Sequence, residues 1–300
     1  MLTEHAPAKL NLSLAITGRR ADGFHELISL VASLELADTL EFTPGGEWKL
    51  TCDDPGLPTD GTNLVLKAVE AYRRRRPDVA SGHLHLRKRV PSGAGLGGGS
   101  SDAAAALRLL DRTVAQPMGL AALEPIAAEV GSDCPYFVRG QPAVMRGRGE
   151  RLELIPASAR AALAGRRVLV AKPPFGVPTP EAYGLLVKTQ AYADAATAEA
   201  ALAAWLGQPV RDPSALGNTL ADPVFGKYLA LPAAVEALAQ SHGVVFRMTG
   251  SGSACFAFYT DGAESEPIRQ ALVRYWGPGT WFAIPAFRRS FGFTAGQPLA

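Results

Sequence analysis

Residues Pro91 to Ala106 read PSGAGLGGGSSDAAAA, a glycine-dense stretch that runs into an alanine-rich one, and no other segment restricts the fold as much. Gly93, Gly95, Gly97, Gly98 and Gly99 can take φ > 0, so successive N–H groups can converge on an anion with no Cβ in the way. Ala103 to Arg112 consists of strong helix formers, with Ser100, Ser101 or Asp102 available as N-cap. The free N–H groups and positive end of that helix point back into the loop. Ahead of it, Leu84, Leu86 and Val90 at even spacing predict a strand. Strand, loop and helix in this order make a phosphate site; a flexible glycine/serine linker would not be hemmed in by regular elements on both sides.

Several phosphate-binding machines are excluded by neighbouring residues. A Walker loop needs lysine immediately before the Ser/Thr, and here Gly99 precedes Ser100. Gly93, Gly95 and Gly98 satisfy G-x-G-x-x-G, but the acidic residue that should end a second strand about twenty positions on is missing. Around Met118 the pattern is a loop. No V-A-I-K, H-R-D or D-F-G set follows, which excludes a protein-kinase loop.

The 300 residues, 47% hydrophobic and 19% charged, suffice for two ordinary domains, and a net charge of +2 identifies no polyanionic partner. The one basic run, Arg73 to Arg76, ends an expected helix from Asn63 to Tyr72, where the dipole favours cations; nucleic-acid binding is not expected. No uncharged apolar stretch reaches eighteen residues, so no membrane span is expected. The N-terminus lacks the pattern of a secretory or transit peptide. Cys52, Cys134 and Cys255 are odd in number and far apart, which fits reduced thiols in a cytoplasm. No C-x-x-C or H-E-x-x-H occurs, so no structural zinc is expected.

Strand-like and helix-like segments alternate through the first half: Lys9–Ile16, Leu27–Leu36, Thr39–Phe42, Asn63–Arg74 and His83–Val90. A helix over Leu120–Val130 and a strand pattern over Ala143–Leu154 follow, in which Arg146, Arg148 and Arg151 read as a solvated strand face. Arg166–Ala171 is apolar enough for a buried strand opening a second domain, KPPFGVPTP from Lys172 reads as a rigid loop, and Tyr192–Leu206 reads as a helix with Leu202, Trp205 and Leu206 on its apolar face. The fold class is α+β, with a soft boundary near residue 157 separating an N-terminal domain, 1–157, from a C-terminal one, 158–300.

The pattern P-x-x-x-G-L-G-x-G-S-S followed by alanines resembles the second motif of the galactokinase, homoserine kinase, mevalonate kinase and phosphomevalonate kinase superfamily. APAKLNL at Ala6–Leu12 and MTGSGSA at Met248–Ala254 are similar to its first and third motifs, in the same order. Within it, AKLNLSLAITGRRADGFH at Ala8–His25, GAGLGGGSSDAA and GSDCPYFVRG resemble the 4-diphosphocytidyl-2-C-methyl-D-erythritol kinase family. Phe24 stands where many members carry tyrosine. The resemblance implies a small-molecule kinase of the non-mevalonate isoprenoid route, with an N-terminal nucleotide domain, a ferredoxin-like C-terminal domain and the site in the cleft between them. ATP and Mg²⁺ are the implied cofactors, with Ser100 or Ser101 as candidate magnesium ligands, and a cytidine diphosphate compound is the implied substrate.

Phosphoryl transfer needs positioning, charge neutralisation and a group to take the acceptor proton. From the residues alone, Asp133 or Ser132 caps a short helix starting at Cys134 or Pro135. By resemblance, Asp133 is the base acting on the substrate hydroxyl. Lys9, by spacing a surface lysine beside a strand, is by resemblance near Asp133 and the transferred phosphate, where it keeps the carboxylate ionised. Asn11, on the same strand face, would hold the substrate alcohol. Asp22-Gly23 reads as a hairpin turn with Phe24 returning to the core and His25 exposed. By resemblance Phe24, His25 and Tyr183 instead form a cytosine site, two rings to stack and an imidazole for the polar edge, with Thr179 beside them. Pro91, Ser92, Gly93, Ala94, Gly95, Leu96, Gly97, Gly98, Gly99, Ser100 and Ser101 form the implied ATP loop, Asn63 and Lys88 its adenosine end. Thr249–Ser253 is a tight strand connector that by analogy braces the phosphate loop.

Overall fold

Each half of the chain builds a sheet and covers it with helices. The computed structural model describes residues 1–208, 216–259 and 264–289. In the first half the strands are β1 (Leu2–Asn11), β2 (Ala15–Arg19), β3 (His25–Pro44), β4 (Lys49–Cys52), β5 (Gly82–Arg87), β6 (Ala143–Gly147) and β7 (Arg151–Leu154). The helices are α1 (Leu64–Arg73), α2 (Gly98–Asp111), α3 (Leu120–Val130) and α4 (Cys134–Arg139). The organising element is β3. Its 20 residues pair with β2 and β6 near the start and with β1 and β5 further along, all antiparallel; β4 then joins β5 in parallel. The two separate segments expected at Leu27–Leu36 and Thr39–Phe42 are therefore one strand, its polar break at Glu35–Asp38 carried through by partners on both edges. The segment Ala143–Leu154 is a hairpin, β6 against β7, joined by a turn at Arg148–Glu150.

The second half contributes α5 (Ala157–Leu163), β8 (Val168–Lys172), α6 (Thr179–Thr189), α7 (Ala195–Gly207), α8 (Ala221–Lys227), α9 (Ala230–His242), β9 (Arg247–Met248), β10 (Cys255–Phe258), α10 (Ser265–Trp276) and β11 (Trp281–Ala283). Its antiparallel sheet runs β11-β8-β10-β9, the strand order of a ferredoxin-like unit with helices crossing over after β8 and β10. The expected rigid loop ends early, because α6 begins at Thr179 inside it. Helix α7 starts at Ala195, where the Asp194 carboxylate accepts from Thr197 N at 2.7 Å, and buries Leu202 and Trp205 as its pattern requires.

The chain then returns to the first sheet. Glu35 N donates to Ala286 O and Arg288 N to Ser33 O, so the last described residues tie the two sheets together. Cys52, Cys134 and Cys255 are free thiols, the latter two buried. Among the described residues no helix is long and apolar enough to cross a membrane.

Helix α2 differs from its sequence reading in a way that shapes the site. It begins at Gly98, five residues before Ala103, with left-handed Gly97 at the N-cap and no side-chain cap. Ser100, Ser101 and Asp102 thus lie inside the first turns. Packing offsets the poor helix propensity of glycine here: a Cβ at Gly98 would stand 3.2 Å from Val90 Cγ1 and 3.4 Å from Lys88 Nζ, so the helix end lies close against these two side chains. Gly98 and Gly99 are helical, and positive φ is confined to Gly93, Gly95 and Gly97.

Candidate active site

A cleft of about 420 Å³ opens where the glycine loop, β1, α4 and the start of α6 meet. Every residue from Pro91 to Ser100 lines it, which brings the loop and the N-terminal end of α2 to the cleft. Lys9, Asn11, Asp133, Thr179 and Tyr183 line the same cleft.

Lys9 and Asn11 share a face of β1 as their spacing requires. Lys9 Nζ donates to Asn11 Oδ1 and, at 3.0 Å, to Gly95 O. It lies 3.8 Å from Asp133 Oδ2. Lys9 is 4% exposed, and burial holds its pKa below the ordinary lysine value against the opposing pull of Asp133. Asn11 Nδ2 donates to Ser29 Oγ at 2.7 Å, and Ser29 Oγ donates to Ser13 O at 2.6 Å. This chain orients the amide. Ser29 also lines the cleft, and only the pairing of β3 places it there.

Asp133 occupies the N-cap position of α4 yet makes no side-chain capping bond. Its carboxylate is 41% exposed and turned towards Lys9 in the cleft. A cap would have been satisfied by the first-turn N–H groups; here the acceptor stays available for a proton from elsewhere.

The Thr249–Ser253 connector locks the glycine loop from the opposite sheet. Ala254 N donates to Ala94 O at 3.1 Å, Lys9 N to Leu96 O at 3.0 Å, and Asn11 N to Thr249 Oγ1 at 2.8 Å. Thr179 Oγ1 and Ser251 Oγ are 2.9 Å apart. At Gly95, φ is +74° and a Cβ would lie 2.5 Å from Thr249 O. The loop and the connector therefore touch backbone to backbone, which glycine alone permits.

Lys88, Asn63 and Ser101 depart from the expectations for the nucleotide end. Lys88 Nζ is bound between Asp38 and, at 2.8 Å, Asp102, both almost fully buried. Burial lowers the Lys88 pKa, but the two carboxylates outweigh it and hold it above the ordinary value. Burial and the neighbouring Asp38 push Asp102 up to about 7 against the pull of Lys88. Lys88 thus lines the cleft with its charge already committed to fixing α2 against the sheet. Asn63 lies outside the lining: its Oδ1 accepts from Val65 N to cap α1 and its Nδ2 donates to Pro58 O, while Leu57 and Leu64 form the apolar wall there. Ser101 is fully buried and off the cleft, whereas Ser100 lines it.

A second cavity, about 660 Å³, shares Leu27, Thr179 and Tyr183 with the first and is lined also by Phe24, His25, Ser132 and Arg148. Phe24 does not return to the core; it is 48% exposed. His25 is held between two rings, Tyr183 at 4.8 Å and Tyr192 at 6.1 Å between centroids. Its Nε2 is buried with no hydrogen-bond partner among the described groups, an unmet cost unless a ligand supplies one. Burial, aided by Arg19, lowers the His25 pKa and so favours the neutral ring, which offers one donor and one acceptor. Sequence reasoning missed Tyr192 and Arg148, since neither lies in a motif. The alternating arginines that include Arg148 read as a solvated strand face.

The GHMP kinases N terminal domain family matches residues 63–141, and the GHMP kinases C terminal family matches residues 197–278. A Synechococcus sp. protein named 4-diphosphocytidyl-2-C-methyl-D-erythritol kinase is 40% identical over 287 residues, covering 91% of this chain and 92% of its own. A crystal structure of 4-(cytidine 5'-diphospho)-2C-methyl-D-erythritol kinase superposes with a TM-score of 0.74 at 32% identity, covering 95% of this chain and 99% of that one. A mevalonate kinase structure, at 11% identity and a TM-score of 0.68 over 97% of this chain and 100% of its own, shares the fold.

Proposed function

The chain belongs to the 4-diphosphocytidyl-2-C-methyl-D-erythritol kinase family, and from that membership and the geometry of the cleft we infer that it transfers the γ-phosphoryl group of ATP to the 2-hydroxyl of 4-diphosphocytidyl-2-C-methyl-D-erythritol in non-mevalonate isoprenoid biosynthesis. The observation that carries the residue assignment is the Lys9–Asp133 pair, 3.8 Å apart, in the cleft that the phosphate loop lines and that shares Thr179 and Tyr183 with the aromatic cavity. Asp133 accepts the proton of the 2-hydroxyl as its oxygen forms the bond to the γ-phosphorus and the bond to the β-phosphate oxygen breaks, releasing ADP. Lys9, hydrogen-bonded to the loop at Gly95 O, stabilises the charge that develops between acceptor and phosphorus. Asn11 orients the acceptor alcohol. The loop Pro91–Ser100 binds the triphosphate through its N–H groups and the end of α2. Phe24, His25 and Tyr183 hold the cytosine and Thr179 its approach, which positions the reacting hydroxyl from a distance.

Magnesium, bound with ATP, would supply charge neutralisation at the phosphates. Among the described residues there is no group of three His, Cys, Asp or Glu side chains placed to hold a metal ion, and the loop itself brings only the Ser92 and Ser100 hydroxyls to the cleft that Asp133 also lines. That sparse set fits an ion held chiefly by phosphates and water, with Ser100 as its protein ligand. The nucleotide half spans 1–157 and the ferredoxin-like half 158–300, dividing between the end of β7 at Leu154 and the body of α5. The free thiols fit a cytoplasmic enzyme.

The test is ADP formation by the purified protein with a panel of acceptors. Phosphorylation of the cytidyl compound, with free methylerythritol, homoserine and mevalonate inert, supports the assignment. Equal use of any of the other three would remove the cytosine site and leave a broader kinase.

A further inference from the structure

Arg148 sits at the tip of the β6–β7 hairpin, the first residue of its turn, where Glu150 Oε2 accepts from Arg148 N at 2.6 Å and Gly149 N closes onto Arg146 O at 3.1 Å. The neighbouring arginines are spent on carboxylates: Arg146 on Glu153 and Glu199, Arg151 on Glu26. Arg148 has no such ion pair among the described residues. Its guanidinium carbon stands 4.7 Å from the centroid of the Phe24 ring, within range of the ring's negative face.

Phe24 needs such a partner. It is a large exposed ring on the β2–β3 turn, whereas every other described phenylalanine is buried or half-buried. The backbone of that turn is well held, with Phe24 N donating to Asp22 Oδ1 at 3.1 Å and Arg20 bridging to Asp22 and Glu26. None of these bonds restrains the ring itself, and a phenylalanine has no hydroxyl to anchor it. A guanidinium laid on one face limits the ring's rotation and leaves the opposite face free to stack.

We propose that Arg148 is a positioning residue for the nucleotide base of the acceptor substrate: it covers one face of Phe24, fixes the ring at the wall of the second cavity, and so presents the other face to the cytosine. The proposal rests on the base-pocket reading of Phe24, His25 and Tyr183. It adds a residue from a different hairpin and gives it a role that works through Phe24.

The test is a double-mutant cycle on Arg148→Met and Phe24→Leu, reading KM for the cytidyl substrate, KM for ATP and kcat. Arg148→Met should raise the cytidyl KM about two- to fivefold, as loss of an exposed cation–π contact implies, with kcat and the ATP KM unchanged. Arg148→Lys should recover part of that loss. In the Phe24→Leu background, Arg148→Met should add nothing. An effect of the same size in both backgrounds would mean that Arg148 acts on the substrate directly, and the proposal fails. No effect in either background, or a lower KM, which would make Arg148 a plug in the site, also overturns it. His25→Ala separates this failure from that of the parent reading: if it raises the cytidyl KM while Arg148→Met does not, only the role of Arg148 is lost, and if neither moves it the base pocket itself is wrong.

Discussion

Replacing Gly95 with alanine tests whether the phosphate loop is held by backbone contact across the two sheets. Two costs add at this residue. At φ +74° a Cβ meets the left-handed penalty, about 1–2 kcal/mol. The same Cβ would lie 2.5 Å from Thr249 O and 3.1 Å from both Gly252 N and Gly252 O, all backbone atoms that cannot swing aside, adding about 1–3 kcal/mol of overpacking. The expected destabilisation is therefore about 2–5 kcal/mol. Two controls separate the parts. Gly243, left-handed at φ +64° with nothing within 4 Å of its Cβ, should show only the backbone penalty; Gly226, in α8 with open space and no positive φ, should gain about 0.5–1 kcal/mol as alanine. Urea midpoints of the three variants give the ranking. Function should follow, because Gly95 O is also the acceptor of Lys9 Nζ: a loop displaced at a cost of about 2 kcal/mol weakens ATP binding roughly thirtyfold. A Gly95→Ala protein as stable as Gly243→Ala, with an unchanged ATP KM, would refute the claim that the connector and the loop are locked together.

Asp133→Asn keeps the shape of the side chain and loses the proton acceptor, so kcat should fall by about 10² to 10⁴ with little change in ATP affinity; full activity in the folded variant would return Asp133 to a structural role. His25→Ala and Tyr183→Ala should each weaken the cytidyl substrate by about ten- to a hundredfold and leave ATP alone, with Phe24→Tyr close to neutral, as substrate titrations at fixed ATP would show. The buried Asp102 carboxyl, raised from 3.8 to about 7, binds its proton more tightly folded than unfolded. Its contribution to stability is present at low pH and lost as pH climbs through about 7. Between pH 5 and 8 the wild type should therefore lose more stability than Asp102→Asn in urea unfolding, and parallel curves would mean that the carboxyl does not titrate in this window.

Local order was legible in the sequence wherever one segment carried the whole signal. The glycine loop, the presence of a helix after it, the helices after Asn63 and over the alanine-rich segment that ends at Leu206, and the pairing of Lys9 with Asn11 on one strand face all follow from spacing and residue type, although the caps at Asn63 and Asp194 are not part of that reading. The family motifs extended that to Asp133 and the aromatic residues, since a motif records which distant segments meet without saying how. Tertiary structure alone decided the rest. Asp133 faces Lys9, which arrives from β1, and makes no capping bond to α4; the positive charge of Lys88 is balanced by Asp38 and Asp102 from two other elements; the Arg148 guanidinium reaches Phe24 from a different hairpin turn. Each depends on partners tens of residues away, and a side chain's charge and hydrogen bonds are settled by those partners and by how much water they exclude, neither of which is written in its own segment.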